Sequence, residues 1–355
     1  MDQRLILHEV LEGRRLTEKE AIFLLKEGDL LAIGMAADTR RERLFKGTVT
    51  FIIDRNINYT NVCTSKCRFC AFYRDKDDPE AYLLSREEIF NKIEETLALE
   101  GTQIMMQGGL HPELKIDYYE DLLRGIKERY PIVIHSFGAP EVAYIAGISD
   151  ISIDEALGRL KDAGLDSLPG AGAEILVEHY RKAVSPNKVS ADRWLEVMER
   201  AHYLGIESTA TMMMGGPETI KDRVEHMSKI RQLQDRTSGF RAFIAWTYQP
   251  GYTELGGKTI SSREYLKTLA VARLFFDNVK HIQGSWVTQG KAIGQLSLSF
   301  GADDLGSIMI EENVVRATGV TYKMSKDEMI RLIQATGRQA ARRNTTYETI
   351  ERFDV

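Results

Sequence analysis

Three cysteines stand in the stretch Asn56-Ile-Asn-Tyr-Thr-Asn-Val-Cys63-Thr-Ser-Lys-Cys67-Arg-Phe-Cys70-Ala-Phe-Tyr-Arg74. The stretch continues directly from an apolar, strand-like run at residues 49–59, so the cysteines are expected in the loop at the C-terminal end of the first strand. They are the only three cysteines in the 355 residues. An odd, clustered trio is a poor disulfide framework and a good metal site.

The spacing of Cys63, Cys67 and Cys70 predicts a [4Fe–4S] cluster as the first cofactor. Four irons normally take four thiolates, and this chain can supply only three. The open iron can then chelate the amino and carboxylate groups of S-adenosylmethionine, the second expected cofactor, whose reductive cleavage gives a 5′-deoxyadenosyl radical. A zinc site with a histidine as fourth ligand and a simple electron-transfer cluster remain as alternatives, although the second CxxC or CxxH pair that zinc usually requires is absent.

Outward from this motif, strand-like and helical segments alternate along the chain. Eight runs are interpreted as strands, at residues 49–59, 103–107, 132–137, 165–168, 207–214, 240–246, 281–286 and 306–310. Amphipathic segments with polar starts lie between them, which predicts parallel strands joined by crossover helices. We therefore expect an α/β fold, a (β/α)₈ TIM-type barrel with its site at the C-terminal strand ends. An open doubly wound sheet is the alternative.

The barrel is expected to span residues 48–320. Residues 1–47 are predicted to form an N-terminal helical extension, and residues 321–355 a C-terminal helical segment that packs on the barrel.

The formal net charge is −5, and no basic block stands out, so no nucleic-acid partner is expected. No stretch resembles a signal peptide or the roughly 20 apolar residues of a membrane helix. We therefore expect a cytoplasmic protein without a membrane partner.

Loops that follow the predicted strands supply further candidate residues. Gly108 and Gly109 would let the backbone approach a ligand closely, unless they only form a tight turn before Pro112. Glu174 would accept hydrogen bonds from the ribose or ammonium of S-adenosylmethionine, unless it stabilises a helix N-terminus. Gly216 is interpreted as an adenine-side backbone contact.

Three more residues are candidates for substrate contact: His111 and His135, which follow or end strands, and one of the pair Asp303 and Asp304 in the last strand–loop region. The full set of cofactor-binding candidates is Phe69, Phe72, Gly108, Gly109, Ser136, Glu174 and Gly216, and the catalytic candidates are Asp303 and His111.

Several of these motifs together resemble a known family. The cysteine stretch, Met106-Gln-Gly-Gly-Leu-His-Pro112, Ser136-Phe-Gly-Ala-Pro-Glu141, Leu168-Pro-Gly-Ala-Gly-Ala-Glu174 and Gly301-Ala-Asp-Asp-Leu-Gly306 resemble radical S-adenosylmethionine (radical SAM) enzymes of the futalosine route to menaquinone. The group includes the deazaflavin-precursor (FO) synthases. Within it, residues 54–59, 71–74 and 311–315 are most similar to dehypoxanthine futalosine cyclases, whereas aminofutalosine synthases typically have His-Ile-Asn-Pro in place of Asn56-Ile-Asn-Tyr59.

The resemblance implies a specific reaction. The deoxyadenosyl radical would remove the ribose C4′ hydrogen of dehypoxanthine futalosine, and the carbon radical would attack the benzoate ring to give the cyclic product. It also implies a low-potential electron donor, such as flavodoxin or ferredoxin, and a cation for the benzoate carboxylate, for which Arg241 and Lys291 are candidates. Aminofutalosine synthase and FO synthase-like activities are alternatives, as is a zinc-stabilised binding module without catalysis.

Overall fold

The computed structural model describes residues 1–354. Its strands are β1 (Thr48–Ile52), β2 (Asp54–Ile57), β3 (Gln103–Met106), β4 (Val133–Ser136), β5 (Ser208–Met214), β6 (Phe240–Thr247), β7 (His281–Gln283), β8 (Asp304–Ser307), β9 (Gln339–Arg343) and β10 (Thr349–Phe353). Its α-helices are α1 (Gln3–Leu11), α2 (Glu18–Glu27), α3 (Leu30–Phe45), α4 (Arg86–Ala98), α5 (Ile116–Arg129), α6 (Ala139–Ser149), α7 (Ile153–Asp162), α8 (Glu178–Val184), α9 (Ala191–Tyr203), α10 (Ile220–Thr237), α11 (Ser262–Phe275), α12 (Trp286–Gln289), α13 (Lys291–Ser297) and α14 (Lys326–Gln334).

The strands close into a barrel. Strand β2 pairs in parallel with β3, and β3 with β4. Residues 167–168 bridge the gap to β5 through the pairs His135–Ser167 and Leu168–Ser208. From β5 the parallel pairing runs through β6, β7 and β8 and returns to β1, which only Ile53 separates from β2. The (β/α)₈ barrel is thus confirmed, and the return of β8 to β1 excludes an open sheet.

Helices α1, α2 and α3 form the segment before the barrel. The Thr17 hydroxyl accepts the backbone N–H of Glu20, and the Glu20 carboxylate accepts that of Thr17, so a capping box begins α2. Helix α3 packs against α11 on the outside of the barrel. None of the described helices is long and apolar enough to cross a membrane.

The C-terminal segment differs from the prediction of a purely helical one. After α14 the chain forms β9, parallel to β1, and then β10, antiparallel to β9. Strand β1 has an edge free for β9 because β2, and not β1, pairs with β3. Such a long-range pairing leaves no periodic signal in the sequence. The eighth barrel strand also begins two residues earlier than predicted, at Asp304.

Candidate active site

A cavity of about 430 Å³ occupies the barrel and opens at the C-terminal strand ends. We call its two ends the mouth and the floor. The mouth is lined by Cys63, Cys67, Cys70, Gly108, Gly109, Glu141, Glu174 and Lys188. The floor is lined by residues from the barrel strands and the C-terminal segment, namely Asp54, Gln103, His135, Arg241, Arg343, Thr345 and Tyr347.

The cysteine loop at the mouth is fixed by backbone hydrogen bonds. The N–H of Cys63 donates to the carbonyl of Arg74 at 3.1 Å, and the N–H of Arg74 donates to Asn61 at 2.8 Å. In the middle of the loop, the N–H of Arg68 donates to the carbonyl of Val184 at 2.9 Å. The loop therefore closes on itself and is attached to the end of α8, which holds all three thiols against one cavity.

The donor set fits an iron–sulfur cluster. Burial raises the pKa of the Cys67 thiol to about 12 and raises that of Cys70 as well, so a stable thiolate there needs a bound cation. Within residues 1–354, no three His, Cys, Asp or Glu side chains are grouped to hold a single metal ion. A [4Fe–4S] cluster does not require three side chains around one ion, because each thiolate binds a different iron.

Gly108 and Gly109 bring the end of β3 against the start of the cysteine loop. A Cβ on Gly109 would lie 2.1 Å from the carbonyl oxygen of Val62, and one on Gly108 would lie 2.5 Å from the Tyr59 ring. The Tyr59 hydroxyl in turn donates to Glu141 at 2.9 Å. The contact leaves no space for a side chain at either glycine, so backbone forms the cavity wall there.

Glu141 is a mouth residue that the sequence did not single out. Its carboxylate accepts the N–H of Gly108 at 3.1 Å and that of Gly138 at 2.9 Å. Burial raises its pKa to about 7, although these hydrogen bonds act in the opposite direction.

Glu174 forms a buried ion pair at the mouth. Its carboxylate lies 3.0 Å from the Lys188 ammonium and 3.5 Å from Arg181, and the ammonium lies 5.3 Å from the centre of the Phe69 ring. Burial alone would lower the pKa of Lys188, but the charges of Cys67 and Glu174 outweigh it and the net shift is upward. Because α8 begins only at Glu178, Glu174 is not a helix-start residue. Lys188 lies in a loop and carried no sequence signal.

At the floor, the C-terminal segment completes the cavity. The Thr345 hydroxyl donates to the Gln103 side-chain carbonyl at 2.7 Å, and the Gln103 amide donates to Asp54 at 2.6 Å. The Arg343 guanidinium binds Asp304 at 2.6 Å and lies over the Tyr347 ring at 3.8 Å. Residues from opposite ends of the chain thus meet beneath the barrel.

Comparison with known proteins agrees with this geometry. Residues 57–230 match the radical SAM superfamily, and residues 237–354 match the CofH/MqnC C-terminal region. The chain is 52% identical to cyclic dehypoxanthine futalosine synthase of Streptomyces coelicolor, over 98% of this chain and 88% of the relative. The chain belongs to the radical SAM superfamily. As such, this enzyme uses a [4Fe–4S] cluster and S-adenosylmethionine, as predicted.

Two further proteins resemble this chain, one in sequence and one in fold. The radical SAM enzyme is 39% identical to 5-amino-6-(D-ribitylamino)uracil–L-tyrosine 4-hydroxyphenyl transferase of Methanothermobacter thermautotrophicus, over 95% of each chain. The crystal structure of methylornithine synthase superposes with a TM-score of 0.73 at 19% identity, covering 94% of this chain and 96% of the other. The latter likeness supports the barrel fold alone.

The structure brings most of the predicted residues of this radical SAM enzyme to the cavity. The predicted residues that line it are Cys63, Cys67, Phe69, Cys70, Phe72, Gly108, Gly109, His135, Glu174 and Arg241.

Six predicted residues lie outside the cavity lining, and two of them accept hydrogen bonds from backbone N–H groups. The Ser136 hydroxyl accepts the N–H of Met106 at 3.0 Å between β4 and β3. The ring Nδ1 of His111 accepts the N–H of Glu113 at 3.2 Å. Gly216 also lies outside the cavity lining, in the turn that follows β5.

The other three lie in ion pairs. The buried Asp303 carboxylate contacts Arg273 and accepts from His281 at 2.6 Å, which joins α11, β7 and β8 outside the cavity. Its neighbour Asp304 is bound by Arg343. Lys291 pairs with Glu328 at 2.9 Å, with both side chains about two-fifths exposed, so Arg241 is the only one of the two predicted cations that lines the cavity.

Proposed function

We propose that this radical SAM enzyme cyclises dehypoxanthine futalosine to cyclic dehypoxanthine futalosine in menaquinone biosynthesis. The observation that carries the proposal is the 52% identity, across nearly the full chain, to a synthase of that name. The three-cysteine loop above a deep cavity supports it, because the reacting groups need an enclosed space at the cluster.

The mouth residues would bind the cofactors. When bound, the cluster and S-adenosylmethionine supply a 5′-deoxyadenosyl radical that can remove hydrogen from an unactivated carbon. Cys63, Cys67 and Cys70 would hold three irons. Glu174 and Lys188 present opposite charges to the amino-acid part of S-adenosylmethionine, and backbone carbonyls at Gly108 and Gly109 border the same space.

The rest of the cavity would orient the substrate. The ribose C4′ hydrogen must face the mouth while the benzoate ring lies close enough for the new carbon–carbon bond. Ring closure would be followed by loss of one proton to a base and of one electron to the oxidised cluster. Phe69 and Phe72 line the entrance to the cavity and would exclude water from the radical steps.

Two features outside the cavity belong to the same proposal. A low-potential electron donor, such as flavodoxin or ferredoxin, would reduce the cluster, and the reaction would take place in the cytoplasm.

A second candidate is the 4-hydroxyphenyl transfer that the archaeal relatives' name describes. The 39% identity over 95% of the chain favours it over other radical SAM reactions, but the identity to the cyclic dehypoxanthine futalosine synthase is higher. Aminofutalosine synthesis, which would leave an adenosyl adduct, is a further alternative.

The test is anaerobic incubation of the reconstituted enzyme with S-adenosylmethionine, a reductant and dehypoxanthine futalosine, followed by mass analysis. Cyclic product together with free 5′-deoxyadenosine is expected. A parallel incubation with 5-amino-6-(D-ribitylamino)uracil and L-tyrosine tests the second candidate, and product formation there alone would contradict the cyclase proposal.

A further inference from the structure

Arg241 lies at the cavity floor with little to neutralise its charge. Its side chain is 10% exposed, and its one ion pair is a 3.5 Å contact with Glu207, whose side chain is 52% exposed. Its Nε is buried without any hydrogen-bond partner in the described chain. A buried guanidinium so poorly matched is costly, which suggests that an anion completes it.

His135 adds a second donor beside Arg241. Its Nδ1 lies 2.6 Å from the Ser167 hydroxyl, which has no other side-chain hydrogen bond within residues 1–354. In the tautomer in which the hydroxyl donates to Nδ1, which gives the hydroxyl hydrogen a partner, the ring proton sits on Nε2. Nε2 makes no hydrogen bond within the described residues, and the His135 side chain lines the cavity. Burial, with the charges of Arg241 and Arg343, lowers the pKa of His135 well below its usual value, so the ring stays neutral.

Tyr347 is the third donor. Its ring is stacked on His281 at 3.7 Å and covered by Arg343 at 3.8 Å, so its position is fixed. Its hydroxyl makes no hydrogen bond within the described residues. It lines the same cavity as Arg241 and His135.

The acids around the floor do not satisfy these donors. Asp304 is engaged by Arg343 through two hydrogen bonds, at 2.6 and 3.0 Å. The Asp54 carboxyl accepts from Gln103, and burial raises its pKa, towards the neutral form. The positive charge of Arg241 is therefore the one at the floor without a close protein anion.

We propose that Arg241, His135 Nε2–H and the Tyr347 hydroxyl form a subsite for an aryl carboxylate. A planar carboxylate offers two oxygens to a guanidinium fork and keeps lone pairs for two further donors. The subsite rests on the proposed function and deepens it, because it takes the benzoate carboxylate of the substrate. With the carboxylate at the floor, the aromatic ring lies above it and the ribose faces the mouth.

The test compares an aryl acid with its neutral amide. Binding of 3-acetylbenzoate and 3-acetylbenzamide to the reconstituted holoenzyme is measured by calorimetry, for the wild type, Arg241→Gln and the control Lys291→Gln. The wild type should bind the acid more tightly than the amide. Arg241→Gln should weaken acid binding by roughly tenfold to a hundredfold and abolish the preference, whereas Lys291→Gln should retain it.

A wild type without preference for the acid, including one that binds neither compound, overturns the subsite, as does an Arg241→Gln protein that keeps the preference. Should Arg241→Gln melt far below the wild type, Arg241→Lys and Tyr347→Phe replace it. Both should lose part of the preference, and its full retention in both overturns the subsite.

The two proposals can fail separately. An Arg241-dependent preference for the acid without turnover of dehypoxanthine futalosine keeps the subsite and refutes the cyclase function. Turnover of dehypoxanthine futalosine with a KM that Arg241→Gln leaves unchanged keeps the cyclase function and refutes the subsite.

Discussion

The mouth and the floor of the cavity differ in how their polar groups are satisfied. At the mouth, Glu174 is held by Lys188 and Arg181, and Glu141 by two backbone N–H groups and a tyrosine hydroxyl. At the floor, Arg241 has one weak contact with a half-exposed acid. The polar groups of the mouth are thus already positioned for the cofactors that the superfamily shares. At the floor, the charge of Arg241 lacks a close protein partner, which fits a substrate anion.

Their origin in the sequence differs as well. The three cysteines of the mouth fall within eight residues. The floor joins residues of several barrel strands to Arg343 at the end of β9 and to Thr345 and Tyr347 in the turn that follows it. Changes at the mouth should therefore abolish the chemistry, and changes at the floor should alter the choice of substrate.

The largest expected effect is loss of the cluster, which variants at the mouth should show and variants at the floor should not. Single replacement of Cys63, Cys67 or Cys70 by alanine should abolish cluster retention and cleavage of S-adenosylmethionine, because no spare cysteine exists. Iron content, absorbance near 400 nm and 5′-deoxyadenosine measure this. The floor variant Arg241→Gln should keep its full iron content. An alanine variant with four irons and near-normal turnover would refute the ligand assignment.

Glu174→Gln should weaken S-adenosylmethionine binding by about tenfold to a hundredfold, or roughly 1.5–3 kcal/mol, because a charge-assisted contact is lost. Calorimetry on the reconstituted enzyme measures it, with Glu196→Gln, in a surface ion pair with Arg193 on α9, as a matched control. Unchanged affinity together with a lower melting temperature would mean that Glu174 only neutralises Lys188 and Arg181.

The cysteines of the mouth were predictable because chemistry fixes them locally. Three cysteines must be close in space to share a cluster, and in this chain they are close in sequence. Most barrel strands were also predictable, since each is a short apolar run between amphipathic helices. The run at residues 165–168, however, forms only isolated bridges, and the run at residues 49–59 is divided into β1 and β2. Gly108 and Gly109 followed from their place at a strand end.

The C-terminal strands and the floor residues at and after the end of β9 were not predictable in this way, although His135 and Arg241 were singled out from the sequence. Gln-Ala-Ala-Arg-Arg at β9 has no strand-like apolar pattern, and it pairs only because β1 offers an open edge. Asp303 was predicted as catalytic from its position near a strand end, yet its partners Arg273 and His281 come from α11 and β7. Sequence places a residue on an element but does not show which side chains neutralise it.

Gly109→Ala should disturb the mouth through the backbone alone. The added Cβ meets the Val62 carbonyl, one residue before Cys63, so the cysteine loop must shift, at a cost of roughly 1–3 kcal/mol of unfolding free energy. Denaturant unfolding and iron retention measure it. Gly147→Ala in α6, where the Cβ meets nothing within 4 Å, should be neutral or slightly stabilising. Equal losses in both variants would contradict the close contact.

The smallest expected effect is a pH dependence from Glu141. Because burial raises its pKa to about 7, the folded protein binds more protons there than the unfolded chain above pH 4.5. Stability from this group is therefore gained as the pH falls through 7 and lost as it rises. Between pH 8 and pH 6 the wild type should gain about 1 kcal/mol relative to Glu141→Gln, measured by denaturant titration. Parallel pH profiles would show that Glu141 stays ionised when buried.

The central claim is that this cavity holds the ribose of dehypoxanthine futalosine at the mouth while ring closure takes place below it. Substrate deuterated at C4′ tests this most directly, with mass analysis of both products after anaerobic turnover. The account predicts deuterated 5′-deoxyadenosine and a cyclic product that has lost the C4′ deuterium. Cyclic product formed alongside unlabelled 5′-deoxyadenosine, or an adenosyl adduct in place of free 5′-deoxyadenosine, would contradict it.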